Sequence, residues 1–250
     1  MPAQVVARFA VDHPIRPGMV RAILDTLQAQ GGPYVPQLFR RAAGGTLQRL
    51  TGARPAGLLD QLEAPGEATF LRVAESRPQP VLSFVVSPNP RVSPTEVRLV
   101  IPGDVLASSQ EVERLLGVCK GLYLFLEAPW GAVGSGEREN PGESDEVEPP
   151  IVQWANFLGP ELVARVGPAR VLTSMAFIVE ILPDGGIMLV THPTPTLAET
   201  VDGRALRSEL DGLLGVADHA GRLFGGGPKH PGRAGLRRDG GRRIRLKPVE

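Results

Sequence analysis

The sequence predicts a mixed α+β fold, in which helices pack on one face of a mostly antiparallel sheet and a disordered basic tail follows. Three observations lead to this prediction. Short runs rich in Val, Ile and Phe are bounded by Pro, Gly and Asp. Longer segments with apolar residues at helical spacing lie between them. The periodicity ends after Asp218. Hydrophobic residues make up 42% of the chain, which is enough for a substantial core.

The first fifty residues predict one strand and two helices. Residues 3–11 are short and rich in Val and Phe, as in a strand. Residues 19–30 have apolar positions at helical spacing, and Gly31-Gly32-Pro33 ends this helix. Residues 35–50 predict a second helix, although Gly44 and Gly45 disfavour its middle.

The next segment predicts three strands and a helix. The strands are residues 69–75, Val81–Val86 and 96–101, separated by prolines. Ser108 or Ser109 starts the helix, with Glu111 placed for a capping box. Residues 122–126, which follow, fit either a helix or a strand.

The second half predicts a helix, a hairpin and a final helix. The first helix covers residues 154–166 and ends at Gly167-Pro168. Residues 177–182 and 187–191 form the hairpin, because Asp184-Gly185 supplies the positive φ that a tight turn needs. Asp202 or Gly203 starts the last helix, which has a stripe of leucines.

The charge pattern divides the chain into an acidic body and a basic tail. Residues 1–218 carry a net charge of −7 and predict a single α+β domain, which an acidic loop over residues 131–150 divides into two halves. Residues 219–250 carry +7, with many glycines and no periodicity, and predict a disordered tail. This tail can hold nucleic acid nonspecifically through phosphate contacts, and its composition is equally typical of a GC-rich gene read in a shifted frame.

No pattern in the sequence indicates a catalytic, cofactor or metal site. Cys119 is the single cysteine, and the four histidines have no metal-ligand spacing, so we expect no metal, no cofactor and no enzyme activity. The alternative of a small enzyme of unknown reaction would rest on scattered residues such as His192, Glu180 and Asp184.

An aromatic cluster at the start of the second half predicts a structural anchor. Trp154 and Phe157 are three residues apart, so on a helix both would pack from one face onto the sheet. Asn156 beside them suits hydrogen bonds to backbone groups, and Gly159 follows in the same segment.

This segment carries a resemblance to a known family. Residues 153–163 (QWANFLGPELV), followed by Gly167, resemble the Trp-x-Asn-aromatic-Leu region of bacterial immunity proteins from polymorphic-toxin and type VI secretion loci, specifically the immunity-protein-52-like and related uncharacterised families. The layout of residues 67–216 is compatible with that group, although the basic tail departs from it. The resemblance implies a protein that binds and neutralises a cognate toxin in the cytoplasm of the producing bacterium, and it implies no catalytic residues.

Three functions remain open at this level. A toxin-binding protein is the first, since an acidic body suits a basic toxin. A small enzyme is the second, and a scaffold or nucleic-acid-associated protein that acts through the tail is the third. We expect a cytoplasmic protein without a membrane partner, because the sequence has neither a signal-peptide layout nor an apolar run of membrane-spanning length.

Overall fold

A computed structural model describes residues 4–41, 45–50, 66–71, 79–90, 94–135 and 152–214. Within these ranges the chain forms ten strands, six α-helices and two single-turn 3-10 helices, Gly32–Tyr34 and Gly103–Leu106. The strands are β1 Gln4–Val11, β2 Leu38–Arg41, β3 Gln48–Arg49, β4 Gly66–Leu71, β5 Val81–Val86, β6 Thr95–Pro102, β7 Trp130–Ser135, β8 Ala155–Leu158, β9 Ile178–Ile181 and β10 Ile187–Val190. The helices are α1 Pro17–Gln30, α2 Ser109–Phe125, α3 Pro160–Val166, α4 Pro168–Leu172, α5 Pro195–Ala198 and α6 Val201–Leu214.

All ten strands form one open antiparallel sheet. Their order is β3-β2-β4-β5-β6-β1-β7-β8-β10-β9, so β1 lies near the centre between β6 and β7. The two edges are β3, with two residues, and β9, with four. The mixed α+β class with an antiparallel sheet is therefore confirmed.

The larger core lies between the sheet and the two long helices. Alternate residues of β1, such as Phe9, are fully buried there. Ile23 of α1 and Leu115 of α2 belong to the same cluster, which extends to Phe157 of β8. Both long helices therefore lie on one face of the sheet. The prediction that helices pack on one face holds for these two, but the shorter helices of the second half pack on the opposite face, because β8 and β10 are apolar on both sides.

A second, smaller core covers the opposite face of β8 and β10. Successive residues of β10 point to opposite faces, so Met188 joins the larger core while Leu189 joins the smaller one. Leu162 of α3, Val171 of α4 and Leu210 of α6 complete the smaller core. The second half of the sheet thus has helices on both faces, and β8 and β10 are buried throughout.

The predicted helix over residues 35–50 is wrong. The chain here forms β2 and β3, which pair with each other, and β2 pairs with β4 on its other side. Phe39 is fully buried and packs against Phe70 of β4, with ring centroids 5.2 Å apart. Pairing across strands outweighs the helical spacing of the apolar residues.

The predicted loop over residues 131–150 is wrong for its first five residues. They belong to β7, which pairs with β1 and β8, and they include two glycines because neighbours come close. A Cβ on Gly131 would overlap the ring of Phe9, and one on Gly134 would overlap the side chain of Gln153. Residues 136–150 lie outside the described residues.

The predicted helix over residues 154–166 is wrong for its first part. Residues Ala155–Leu158 form β8, and the helix α3 begins only at Pro160. Trp154 and Phe157 therefore do not share a helix face. Pro160 at the first helical position marks the true helix start, since proline is well suited to that position.

The other predicted elements are present within the described residues. The strand predicted over residues 69–75 is β4, which begins earlier, at Gly66, and residues 72–75 lie outside the described residues. The side chain of Ser108 accepts a hydrogen bond from the amide of Glu111, and α2 continues to Phe125, which identifies residues 122–125 as helix. The hairpin of β9 and β10 and the last helix also form. The predicted basic tail, residues 219–250, lies outside the described residues.

Candidate functional site

The open edge of the sheet at β9 carries a cluster of exposed apolar side chains. Four of the nine large hydrophobic side chains that are exposed in the described part of the chain lie between residues 172 and 181. Their exposed fractions are 44% for Leu172, 60% for Met175, 58% for Phe177 and 64% for Ile181. We call these four residues together with Val179, which is partly buried, the apolar edge.

The apolar edge follows from the alternation of β9. Val179 pairs with Leu189 and packs against the smaller core, so Ile181 lies on the same face of the strand. Phe177 lies in a bend directly before β9 and is exposed as well. The large exposed apolar side chains within residues 172–181 make this edge a candidate surface for a protein partner.

Helix α2 holds the hairpin from the other face. Lys120 contacts both carboxylate oxygens of Glu180 at 3.2 Å. The Tyr123 hydroxyl donates a 2.7 Å hydrogen bond to Asp184 in the turn, and the other oxygen of Asp184 accepts the amide hydrogen of Gly186. The hairpin is therefore fixed to the long helix at its centre and at its turn.

Burial and this hydrogen bond raise the pKa of Tyr123. Desolvation is the larger cause, and the Asp184 carboxylate adds to it by its hydrogen bond and its charge. The phenol therefore remains protonated and keeps its role as donor at neutral pH. The Tyr123 ring also stacks on Phe157 with centroids 5.4 Å apart, which links the hairpin to β8.

The four residues that the sequence indicates as anchors lie on or directly beside β8, two strands from β9. Trp154 is fully buried, and its indole donates a 2.7 Å hydrogen bond to the carbonyl of His192 after β10. The Asn156 side chain bonds both the amide and the carbonyl of Gln153. Phe157 packs against Phe9 of β1.

Gly159 completes this group at the start of α3. Its amide donates to the Pro129 carbonyl at 3.0 Å, and a Cβ would lie 2.7 Å from the same oxygen. None of the four anchor residues has an exposed reactive group, so their place in the structure is that of support for β8 and β10.

A buried arginine closes the far end of β10. Arg207 of α6 is 3% exposed and contacts Glu199 at 3.1 Å and the Gln153 side chain at 3.3 Å. Burial and the charge of Arg207 lower the pKa of His192. His192 also lies 2.9 Å from the Thr191 hydroxyl. This polar cluster connects α6 to the loop after β10 inside the protein.

The three residues that the sequence offers for a small enzyme, His192, Glu180 and Asp184, are not brought together. Asp184 lies in the turn before β10 and His192 lies after it, while Glu180 is held by Lys120. Cys119 is fully buried in the larger core, and burial raises the pKa of its thiol, which disfavours the reactive thiolate. Within the described ranges, no group of three or more His, Cys, Asp and Glu side chains can hold a metal ion. In the same ranges no helix is long and apolar enough to cross a membrane.

The described surface has almost no net charge. The described residues include 15 acidic and 13 basic side chains, a net charge of −2. Most of the −7 of residues 1–218 therefore belongs to residues 136–150, outside the described part. The described part thus gives little support to charge as the basis for binding, and the apolar edge is its most distinctive surface.

Sequence reasoning identifies the hairpin but misses its exposed side. In a strand with alternating residues, such as 177–182, one face packs in the core and the other does not. The sequence does not show which strand lies at the edge of the sheet. The available signal was the row Leu172, Met175, Phe177 and Ile181, which has more large apolar residues than one buried face requires.

Comparison with known proteins gives similarity at the level of structure alone. No family model matches the chain, and no curated protein matches it in sequence. Its fold is similar to that of the Pseudomonas aeruginosa T6SS protein PA0821, with a TM-score of 0.60 and 15% identity over 85% of this chain and 72% of that one. A chain from the structure of the toxic C-terminal tip of CdiA from Pseudomonas aeruginosa in complex with immune protein also matches, with a TM-score of 0.35 and 12% identity over 58% of this chain and 92% of that one. The second similarity is too low for any argument.

Proposed function

We propose that this chain is a toxin-neutralising, immunity-type protein that acts by binding in the cytoplasm of the producing bacterium. The observation that carries the proposal is the apolar edge, which a rigid hairpin presents at the end of a ten-stranded sheet.

The apolar edge has the properties of a surface for a protein. Aromatic residues and Met are enriched in the buried centre of protein interfaces, and the exposed Phe177 and Met175 are of this kind. The strand beside them is open for backbone hydrogen bonds, which is the basis of recognition by strand addition. Lys120 and Tyr123 hold the hairpin in place, so little order has to be gained on binding.

The fold agrees with this proposal. One similar structure is that of a T6SS protein of Pseudomonas aeruginosa, and the segment 153–167 resembles immunity proteins from such loci. A protein that neutralises a toxin needs a surface and no reaction chemistry. Near the edge, Lys120 is paired with Glu180 and Tyr123 with Asp184, and these contacts hold the hairpin that presents the apolar edge.

The test combines capture with neutralisation. The full chain, tagged and expressed in its own bacterium, should retain one stoichiometric protein that stops growth when expressed alone and is harmless when this chain is co-expressed. Phe177→Asp places a charge in the apolar edge and should abolish the rescue. Val201→Asp is the matched control, because Val201 is 75% exposed at the start of α6, outside the apolar edge.

Each outcome is informative. Rescue by the wild type and by Val201→Asp, but not by Phe177→Asp, supports both the function and the surface. A captured protein that is not toxic, or a toxin that this chain does not neutralise, contradicts the proposed function.

A further inference from the structure

The apolar edge is a liability for a protein that is not bound to its partner. An exposed apolar edge strand is a template for uncontrolled strand pairing, and natural proteins cover or interrupt such edges. β9 contains no proline and no lysine, and its one charged residue, Glu180, is already paired with Lys120. We propose that in the free protein a second copy of this chain covers the apolar edge, by antiparallel pairing of β9 with β9 of the copy. The dimer would regulate toxin binding, because the second copy and the toxin would compete for the same surface; this regulatory role rests on the proposed function.

The hairpin determines which backbone groups point outward. The Leu182 amide donates to the Gly186 carbonyl at 2.8 Å, so these two residues form a hydrogen-bonded pair. Hydrogen-bonded and non-hydrogen-bonded pairs alternate along an antiparallel ladder. Val179 and Ile181 therefore occupy non-hydrogen-bonded positions against β10, and their amide and carbonyl groups point to the open edge.

A two-fold axis through Val179 places the outward backbone groups of one chain opposite those of the second copy. In that register Val179 lies opposite Val179 of the second copy, and Phe177 lies opposite Ile181 in both directions. The Val179 pair can exchange backbone hydrogen bonds as β9 stands. The two Phe177–Ile181 pairs form when pairing extends the strand by one residue to Phe177, which directly precedes β9, and the side chains of all three pairs then share the apolar face.

The neighbouring register is less favourable for two reasons. An axis through Glu180 would leave only two such pairs, because Phe177 would face Pro183, which has no amide hydrogen. It would also place two Glu180 carboxylates directly opposite each other, which is destabilising. Charge and hydrogen bonding thus select the Val179-centred pairing, in which Glu180 lies opposite Ile178.

The area available fits a dimer of modest strength. In the Val179-centred pairing the exposed side chains that the copy covers are Phe177 and Ile181, which offer on the order of 100 Å² each, given that a buried aromatic residue covers roughly 150–250 Å². This is well below the roughly 800 Å² per partner in a standard interface, so the dimer is a weak, transient one. A concentration-dependent equilibrium between monomer and dimer is therefore expected, which leaves the edge available to a tighter partner.

The first measurement is the oligomeric state of the full chain by sedimentation equilibrium. We expect a reversible dimer for the wild type and for Val201→Asp, and at least tenfold weaker association for Phe177→Asp. Circular dichroism establishes that the variants are folded. A wild type that is monomeric at all concentrations, or a Phe177→Asp variant that associates as strongly as the wild type, overturns the proposal.

The second measurement tests the register with a disulfide. Antiparallel hydrogen-bonded partners have Cα atoms about 5.5 Å apart, within the usual range for a disulfide. Val179→Cys should therefore form a covalent dimer on oxidation, whereas Ile181→Cys, on the same face, should not. The native Cys119 is fully buried and does not interfere. Equal cross-linking of the two variants, or none of Val179→Cys, overturns the proposed pairing.

These tests do not depend on the toxin. A monomeric protein that still neutralises its toxin through the edge would contradict the dimer and leave the proposed function standing. A dimer with the predicted register and no toxin would do the reverse.

Discussion

Gly159→Ala should destabilise the fold because Gly159 lies against the main chain of Pro129, directly before β7. The φ of Gly159 is −65°, a value that alanine adopts without strain, so the effect comes from space alone. An added Cβ would lie 2.7 Å from the oxygen, 3.1 Å from the Cα and 3.2 Å from the carbonyl carbon of Pro129. These are main-chain atoms and cannot rotate away as a flexible side chain would.

The magnitude follows from two losses. Overpacking at a tightly filled position costs about 1–3 kcal/mol. Separation of the two segments weakens the hydrogen bond from the Gly159 amide to the Pro129 carbonyl, worth about 1 kcal/mol. We expect a loss of roughly 2–4 kcal/mol in the free energy of unfolding, a large part of the roughly 5–15 kcal/mol of a typical domain.

Urea denaturation measures this loss. Trp154, fully buried five residues away, provides the fluorescence signal. Gly212→Ala in α6 is the control, because a Cβ there meets nothing within 4 Å and should stabilise the helix by up to about 1 kcal/mol. A Gly159→Ala variant within about 0.5 kcal/mol of the wild type, the size of an ordinary surface change, would refute the steric argument.

Three further predictions concern polar groups. Tyr123→Phe removes the hydrogen bond to Asp184, so hydrogen exchange of the Gly186 amide should accelerate at least tenfold while α1 is unaffected; unchanged exchange would show that the turn does not depend on α2. Burial raises the pKa of Tyr34, whereas the unfolded phenol ionises near pH 10, so the free energy of unfolding should fall above about pH 10, and less steeply in Tyr34→Phe if this account is right. Glu199→Gln removes the carboxylate that contacts the buried Arg207, so the free energy of unfolding in urea should fall by about 2–3 kcal/mol. Arg207→Met should cost less, because the carboxylate that it leaves behind is reached by water. The opposite order of the two variants would contradict the ion-pair account.

The sequence predicts elements well where a single physical signal dominates. The Asp184-Gly185 turn identifies the hairpin because few residues adopt positive φ, and Gly185 has a φ of +85°. The Ser108 cap identifies the start of α2 for a similar reason, since its side chain satisfies an amide of the first turn.

The sequence misleads where burial on both sides removes the periodicity. β8 is buried on both faces, so its four residues are all apolar or satisfied by local hydrogen bonds, and a short run of this kind fits a helix as well as a strand. β7 misleads in a different way, because its glycines make a buried strand look like a loop. Its glycines exist because Phe9 and Gln153 fill the space beside them, and without those neighbours they resemble a loop.

The candidate surface depends on the order of the strands, which no local pattern encodes. β9 is an edge strand because the chain pairs β10 between β8 and β9, and this is a property of the whole sheet. The anchor residues Trp154 and Phe157 stand out in the sequence because aromatic residues are few, yet they support the surface from behind and are not part of it.

The most direct test of the account is survival in contact-dependent competition between sister cells. A strain without this chain, grown against the wild type that produces the cognate toxin, should be killed and should survive when complemented by the wild-type chain or by Val201→Asp. We expect Phe177→Asp to restore survival poorly despite normal folding, because the toxin can no longer cover the apolar edge. Full survival with Phe177→Asp would contradict the assignment of the toxin to this edge, and survival without the chain would contradict the immunity function itself.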